Sequence, residues 1–382
     1  MCAQKTLQEE RNQLFLDVHS GKKPARVPIS YGITVEAALE KVGYNLLRDL
    51  YSPERIYEAA EEMARLFETD TLPTAPFSQA AVFRYVDQKF MQPGADGFFQ
   101  HPDIAPLDVD EYPEFIKDPF EFIVRKIQPR VFGILQEDPL LGNIKIKIAR
   151  DVVASKFAGM APKLVEKYQR ANAIAMCGLL WAPFDFIADY IRSFSTILMD
   201  IKRKPQWVLD ACEAVLEYEI RQIKNTPKRG AIPCISYPLH MPPFMRPKEV
   251  EKFWWPTFKK LIIATQEAGF MPSIFCEQNW DPHLDLLNDL PGTVKLAFES
   301  SDQKLIAQKV STRHVFSHGY PALVLKTGTK EQCIDEAKRT LDNLAAGGNY
   351  IFSASKAAIR GSDFKTENLQ AVIEFLKEYG KY

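Results

Sequence analysis

Short apolar runs alternate with longer amphipathic stretches along most of this chain of 382 residues. Short apolar runs are typical of strands buried on both faces, and a 3.6-residue apolar period is typical of helices. Eight runs are predicted as strands, at residues 26–31, 69–74, 172–178, 231–237, 272–277, 294–299, 314–318 and 349–355. Strands that alternate with helices form parallel sheets, so the pattern predicts an α/β fold, a (β/α)8 TIM barrel.

Three of the intervening stretches carry helix boundary signals. Residues 52–67 begin with a Ser cap that is followed by Pro at the first helical position. Residues 245–269 end on a glycine, and residues 329–346 are followed by two glycines, which commonly end helices. These signals support the alternation on which the barrel prediction rests.

The segment 77–118 interrupts this alternation. It carries eight Phe and Tyr residues among several prolines and glycines, with little helical period. Loops of this length in compact enzymes are usually lids or substrate covers. Two interpretations of this segment are equally supported: a lid over the barrel, and a small packed insertion with its own aromatic core. In both cases residues 1–382 are predicted to form one barrel domain, with an elaborated N-terminal region and a long aromatic-rich loop.

Composition and charge exclude several classes of protein. The 46% hydrophobic content supports a large core, and 48 Lys and Arg against 49 Asp and Glu leave a net charge of -1, without the basic patch of a nucleic-acid-binding protein. No apolar stretch approaches the roughly 20 residues of a membrane span, and the first residues lack the apolar core of a signal peptide. Six cysteines without a C-x-x-C pair fit a reduced compartment. A cytoplasmic enzyme is therefore expected.

Several predicted strands end on side chains that bind metals or move protons. Glu277, Glu299 and His318 end three consecutive strands, and Ser355 and Lys356 end the last. The carboxyl ends of parallel barrel strands open on one face, so these side chains are expected to converge although they are distant in sequence. Such convergence indicates an active site.

Two stretches of the second half resemble the uroporphyrinogen decarboxylase superfamily. Residues 179–192, LLWAPFDFIADYIR, and the helical residues 197–209 resemble its G-P-F-t-l-A and l-d-P-e-x-v segment. Residues 325–331, LKTGTKE, and 366–369, TENL, resemble its L-x-x-G-T-x-E and t-x-e-N-l motifs. The likeness covers residues 150–382. This superfamily has the same barrel fold and comprises haem-pathway decarboxylases and corrinoid-dependent methyltransferases.

Departures from the family motifs distinguish between its branches. The decarboxylases carry an arginine-rich motif after the first strand, whereas residues 31–37, YGITVEA, contain no arginine to neutralise a polyanionic porphyrinogen. Thiol-methylating zinc enzymes carry H-x-C and a later Cys, whereas residues 274–276 read IFC and residues 353–356 read SASK. Two of three thiol-site zinc ligands are thus missing. Both activities are disfavoured.

The sequence resembles best the methyltransferases that take a methyl group from phenyl methyl ethers or related O-methyl compounds. These enzymes deliver the methyl group to the cob(I)alamin of a separate corrinoid protein. The chain has no cobalamin-binding D-x-H-x-x-G motif, so the corrinoid is expected on that partner. Glu277, Glu299 and His318 are then expected to hold Zn²⁺ with an open position, or to protonate the ether oxygen.

Four further residues near predicted strand ends are candidate substrate contacts: Tyr31, Asp185, Tyr237 and His240. Each has a structural alternative, since strand-end carboxylates often cap helices and histidines are often satisfied in a core.

Two other functions stay open, a lyase acting on a small acid or tetrapyrrole and a non-catalytic barrel that binds a ligand. A homodimer is also open. The predicted cluster of two Glu and one His favours an enzyme.

Overall fold

A computed structural model describes residues 6–382 and places six parallel strands in one sheet. The strands are β1 (Ile174–Leu179), β2 (Ile232–Leu239), β3 (Met271–Cys276), β4 (Lys295–Phe298), β5 (Val315–His318) and β6 (Tyr350–Ile351). Neighbours in the sheet follow the order of the sequence, so each parallel pair is joined by a crossover that contains a helix. The predicted α/β alternation is confirmed.

The first two predicted strands close the barrel without forming regular strands. Ile29 forms an isolated parallel bridge with Phe352, just beyond β6. The Asp70 N–H donates to the Ile29 carbonyl, and the Ala171 N–H before β1 donates to the Asp70 carbonyl. Prolines in both segments remove backbone donors and interrupt the ladder, so the prediction of continuous strands there is wrong. With these two segments the sheet forms a (β/α)8 barrel.

Helices surround the sheet, and none among the described residues is long and apolar enough to cross a membrane. The longer ones are Leu7–His19, Pro53–Leu66, Pro139–Phe157, Phe194–Arg203, Pro205–Asn225, Trp255–Glu267, Lys330–Leu344 and Thr366–Tyr379. Shorter ones are Val35–Lys41, Leu46–Asp49, Ala80–Tyr85, Tyr112–Lys117, Pro119–Phe122, Gln128–Val131, Met160–Lys167, Pro183–Phe186, Pro247–Glu249, Gln303–Lys309 and Ala322–Thr327. Turns of 3-10 helix lie at Val109–Glu111, Gly133–Leu135, Pro242–Phe244 and Asp281–Asp289, and π turns at Ile123–Ile127, Ile187–Arg192 and Val250–Trp254.

The predicted helix boundaries are largely confirmed. The Ser52 side chain accepts the N–H of Arg55 and caps the helix that starts at Pro53, and the helix Lys330–Leu344 also matches its prediction. The predicted helix 245–269 is helical from Pro247 to Glu267 but contains the π turn Val250–Trp254. Pro256 explains this π turn, because it has no N–H for the helical ladder and its ring crowds the carbonyl one turn earlier.

The segment 77–118 contains short regular elements that its sequence pattern did not predict. These are the helix Ala80–Tyr85, an antiparallel hairpin of Gln92–Pro93 with Phe99–Gln100, and the helix Tyr112–Lys117. The Phe90 ring packs edge-on against the Tyr190 ring at 5.3 Å between centroids. The segment therefore packs on the π turn that follows β1, at the carboxyl end of the barrel.

Candidate active site

The carboxyl ends of β2, β3 and β4 bring three titratable side chains side by side. The register pairs Leu239 with Cys276 and Cys276 with Phe298. The next residue on each strand is therefore His240, Glu277 or Glu299. These three residues define the mouth of the barrel, the end at which TIM-barrel active sites lie.

His240 connects two acids at the mouth. Its Nδ1 lies 2.7 Å from Asp189 Oδ2, and its Nε2 lies 3.3 Å from Glu277 Oε1. Burial alone would lower the pKa of His240, but the hydrogen bonds to Asp189 and Glu277 outweigh it and raise this pKa from 6.5 to about 11. At neutral pH the ring is therefore an imidazolium that donates to both carboxylates.

Asp185 fixes the backbone that carries His240. Its fully buried carboxylate accepts the N–H of His240 at 2.9 Å, the N–H of Met241 at 3.3 Å and the indole N–H of Trp254 at 2.8 Å. Burial raises the pKa of Asp185 to about 7. Because these donors occupy the carboxylate, the expected substrate contact at Asp185 is not supported, and Asp185 positions His240 instead.

A π turn places Asp189 beside His240. The short helix Pro183–Phe186 continues into the π turn Ile187–Arg192, and π turns of this kind are frequent at functional sites. The sequence interpretation did not include Asp189 among the candidates. One signal was present, because Asp185 and Asp189 stand four residues apart and a helical segment brings such residues onto one face.

Glu299 has a different set of partners. Its Oε2 accepts the N–H of Gln278 at 2.8 Å, and its Oε1 lies 3.4 Å from the Lys356 ammonium. Gln278 has a backbone φ of 57°, which turns the chain just after Glu277. Glu299, Ser355 and Lys356 line a cavity of about 620 Å³ that opens beside the mouth. One carboxylate of the mouth is thus paired with an imidazolium and the other with an ammonium.

His318 lies apart from the two glutamates in its contacts. Its backbone φ of 68° turns the ring away from the course of a regular strand. The ring lies 5.4 Å from the Phe275 ring, and its Nδ1 lies 3.0 Å from the Ser317 hydroxyl. Burial and the nearby Lys295 ammonium lower the pKa of His318 to about 3. At neutral pH the imidazole is therefore uncharged.

Glu277, Glu299 and His318 do not fit the predicted zinc site as they are arranged. No group of three or more His, Cys, Asp and Glu side chains within residues 6–382 is placed to hold a metal ion. A cation between the glutamates would have to displace the imidazolium of His240 from one and the ammonium of Lys356 from the other. The donor set suits proton transfer better than metal binding. Cys276 is fully buried in the core.

Two predicted substrate contacts face the helical layer. Tyr237 is fully buried, and its hydroxyl lies 2.5 Å from Thr265 Oγ1 on the helix Trp255–Glu267. Tyr31 is 3% exposed and packs edge-on against Phe364. These contacts place both side chains on the side that faces away from the interior of the barrel. The expected substrate contacts at Tyr31 and Tyr237 are therefore not supported, whereas His240 is 28% exposed at the mouth.

Comparison with known proteins agrees with this architecture. The family model for uroporphyrinogen decarboxylase (URO-D) matches residues 147–379, a range that contains all six strands and the three residues of the mouth. No curated protein matches the chain. Since the family model covers more than half of the sequence, the chain belongs to the uroporphyrinogen decarboxylase family.

Proposed function

We propose that this protein transfers a methyl group from an O-methyl compound, in the first place a phenyl methyl ether, to the cob(I)alamin of a separate corrinoid protein. Membership of a family that includes methyltransferases and decarboxylases supports an enzyme of this kind. The observation that carries the proposal is the hydrogen-bonded chain of Asp189, His240 and Glu277, which holds a charged proton donor at the mouth.

Methyl transfer from an ether needs help at the leaving oxygen. The corrinoid supplies the nucleophile for the methyl carbon, and the electron pair of the broken C–O bond stays on oxygen. A phenolate leaving group has a conjugate acid with a pKa of about 10. The pKa of His240, about 11, is close to that value, so proton transfer to the departing oxygen is nearly balanced.

In the proposed reaction each side chain has a role. Glu277 faces the mouth and contacts the ether oxygen. The His240 Nε2 proton passes to Glu277 and from Glu277 to that oxygen, which leaves as a neutral phenol and leaves His240 neutral. Asp189 keeps its hydrogen bond to Nδ1 throughout and so fixes the ring orientation. Lys356 places a second positive charge near the mouth, where it stabilises negative charge that develops on oxygen.

The charges of the mouth argue against a polyanionic tetrapyrrole. Asp189, Glu277 and Glu299 carry three negative charges there, and the His240 imidazolium and the Lys356 ammonium oppose them. A substrate with many carboxylates would meet net repulsion. A small ether brings no such charge to the reacting end.

The test is a single-turnover assay. Purified protein is mixed with a phenyl methyl ether and a reduced corrinoid protein, or free cob(I)alamin, and the absorbance of the corrinoid reports its methylation. His240→Gln and Glu277→Gln should each lower the single-turnover rate constant by roughly a hundred- to a thousand-fold and leave ether affinity nearly unchanged, because they act on charge that appears only in the transition state. Glu213→Gln is the matched control, since Glu213 is exposed and pairs with Lys260 on the outer helices.

Two results would overturn the proposal. One is a wild-type protein that methylates no cob(I)alamin acceptor from any methyl ether but decarboxylates a small acid. The other is wild-type transfer rates in both the His240 and the Glu277 variants.

A further inference from the structure

Part of the wall inside the barrel, below the mouth, is polar. TIM-barrel interiors are usually filled by layers of branched residues. Here Ser236, Ser273 and Lys295 form a polar layer, because the register of the strands places them side by side, between Leu179 of β1 and Val315 of β5. All three are partly exposed although they lie within the sheet. This layer therefore borders an open lumen.

The remaining walls of the lumen are apolar. The layer between Ser273 and the mouth contains Phe275, which is also partly exposed. On β1, Met176 and Leu179 are 60% and 51% exposed, and Leu179 pairs in register with Ser236. A flat ring can pack against such walls. The other end of the barrel is closed by a buried cluster in which Phe15 and Val18 of the first helix pack against Val315 and Ile351.

Lys295 is a lysine of this lumen that pairs with no carboxylate within residues 6–382. Burial lowers its pKa, and the ionisable neighbour that opposes this effect is the Cys234 thiol rather than a carboxylate. Its charge in turn contributes to the lowered pKa values of His19, on the helix at the closed end, and of His318, near the mouth. The ammonium therefore lies between the two ends of the lumen. Buried charges in proteins are normally paired, so the partner of Lys295 is expected to be an anion from outside the chain.

We propose that Lys295 binds an anionic group of the substrate, a carboxylate on the aromatic ring, while the methoxyl group reaches Glu277 at the mouth. This inference rests on the proposed function. The carboxylate accepts from the Lys295 ammonium, with the Ser236 and Ser273 hydroxyls as further donors. The ring packs against Phe275 and Leu179.

The dimensions of the lumen suit one substituted ring. Lys295 and Glu299 are four residues apart on one strand, which separates their backbones by about 13 Å at about 3.3 Å per residue. This length suits a single ring that has its two groups on opposite sides. A methoxybenzoate has this form.

Binding of benzoate tests the site without any turnover. Calorimetry should show that the wild-type protein binds benzoate and that Lys295→Met weakens this binding by about 10- to 100-fold, as expected for loss of a hydrogen bond to a charged group. Binding of neutral benzamide should change little. Lys330→Met, at an exposed lysine of an outer helix, should behave like the wild type for both ligands.

Turnover then links the site to the reaction. Lys295→Met should raise KM for 4-methoxybenzoate by a similar factor and leave the kinetics of neutral methoxybenzene unchanged. Lys295→Gln is a second variant if the Met variant is poorly folded, and the thermal shift caused by benzoate checks both. Equal benzoate affinity in the wild type and in a folded Lys295 variant would overturn the inference. That outcome would leave methyl transfer from neutral ethers, and so the proposed function, intact. Loss of benzoate binding in the variant with no methyl transfer from any ether would refute the function and keep the anion site.

Discussion

Replacing Asp189 with asparagine should move the alkaline limit of activity to lower pH. Asp189 is the first of the two carboxylates that raise the pKa of His240 from 6.5 to about 11 against the effect of burial. Because the folded-state pKa is raised, the charge on His240 stabilises the protein fully below about pH 6.5. That contribution is lost as the pH rises through about 11. Activity that depends on the imidazolium should follow the same folded-state pKa.

The size of the shift follows from the contact that is removed. An opposite charge at hydrogen-bonding distance changes a pKa by about 1 to 3 units. In Asp189→Asn the amide would keep a hydrogen-bond acceptor at the position that lies 2.7 Å from Nδ1, but the negative charge would be lost. The alkaline midpoint is therefore expected to fall from about 11 to between about 8 and 10. This corresponds to about 1.4 to 4 kcal/mol less stabilisation of the imidazolium.

Two measurements check this prediction. The rate of single-turnover methylation is recorded from pH 6 upward for the wild type and for Asp189→Asn, and the His240 ring resonances are titrated by NMR. Asp285→Asn serves as the control, because Asp285 is 72% exposed and pairs with Lys309 far from the mouth. If the profiles of wild type and Asp189→Asn superimpose while the NMR titration moves, the proton of His240 takes no part in the reaction. If neither moves, Asp189 does not set the charge of His240.

Two further predictions follow from buried side chains of the outer layer. Tyr237→Phe should leave kcat and KM unchanged and lower the free energy of unfolding by about 1 kcal/mol, because it removes only the hydrogen bond to Thr265, as urea denaturation would show. Glu219 is buried, has one carboxylate oxygen without a hydrogen-bond partner among the described residues, and has a pKa that burial raises to about 8. Stability should therefore fall between about pH 4.5 and 8 as the unfolded chain alone releases this proton, and Glu219→Gln should flatten that part of the profile. An equally steep profile in the variant would assign the slope to other groups.

The positions of Glu277 and Glu299 could be predicted because the apolar runs of β3 and β4 mark where each strand ends. A strand end fixes which residue comes next at the carboxyl edge of a parallel sheet. The predicted strand at residues 231–237 stops two residues before β2 ends, so His240 was named only as a residue that follows this strand. The predicted strands at residues 26–31 and 69–74 failed as regular strands, because apolar content does not show that prolines interrupt the hydrogen bonding.

The orientation of single side chains was harder to predict. A shift of one residue in a strand moves a side chain to the opposite face of the sheet. The apolar pattern therefore did not show that Tyr31 and Tyr237, which were named as candidate substrate contacts, point away from the interior. The position of Asp189 beside His240 depends on a π turn, and the direction of the His318 ring depends on a positive φ. Neither backbone feature has a reliable signal in a single sequence. Glu277, Glu299 and His318 do not fit the predicted zinc site for a related reason. The cations that pair with the two glutamates, His240 with Glu277 and Lys356 with Glu299, could not be read from the sequence.

His240 and Lys295 differ in whether the protein itself supplies a carboxylate partner. Because of this difference we expect Lys295 to act in substrate binding and His240 in the chemical step. His240 lies between two carboxylates, so its charge is balanced before any substrate arrives and its proton is drawn out only when negative charge appears on the leaving oxygen. Lys295 has no carboxylate partner in the part of the chain that the structure describes. A ligand anion therefore stabilises the Lys295 ammonium as soon as the ligand binds, in the ground state. Under the proposed function, changes at Lys295 should therefore act on KM and changes at His240 on kcat. A ring that carries the carboxylate but no methoxyl group should bind and inhibit, because it satisfies Lys295 and offers His240 no oxygen to protonate.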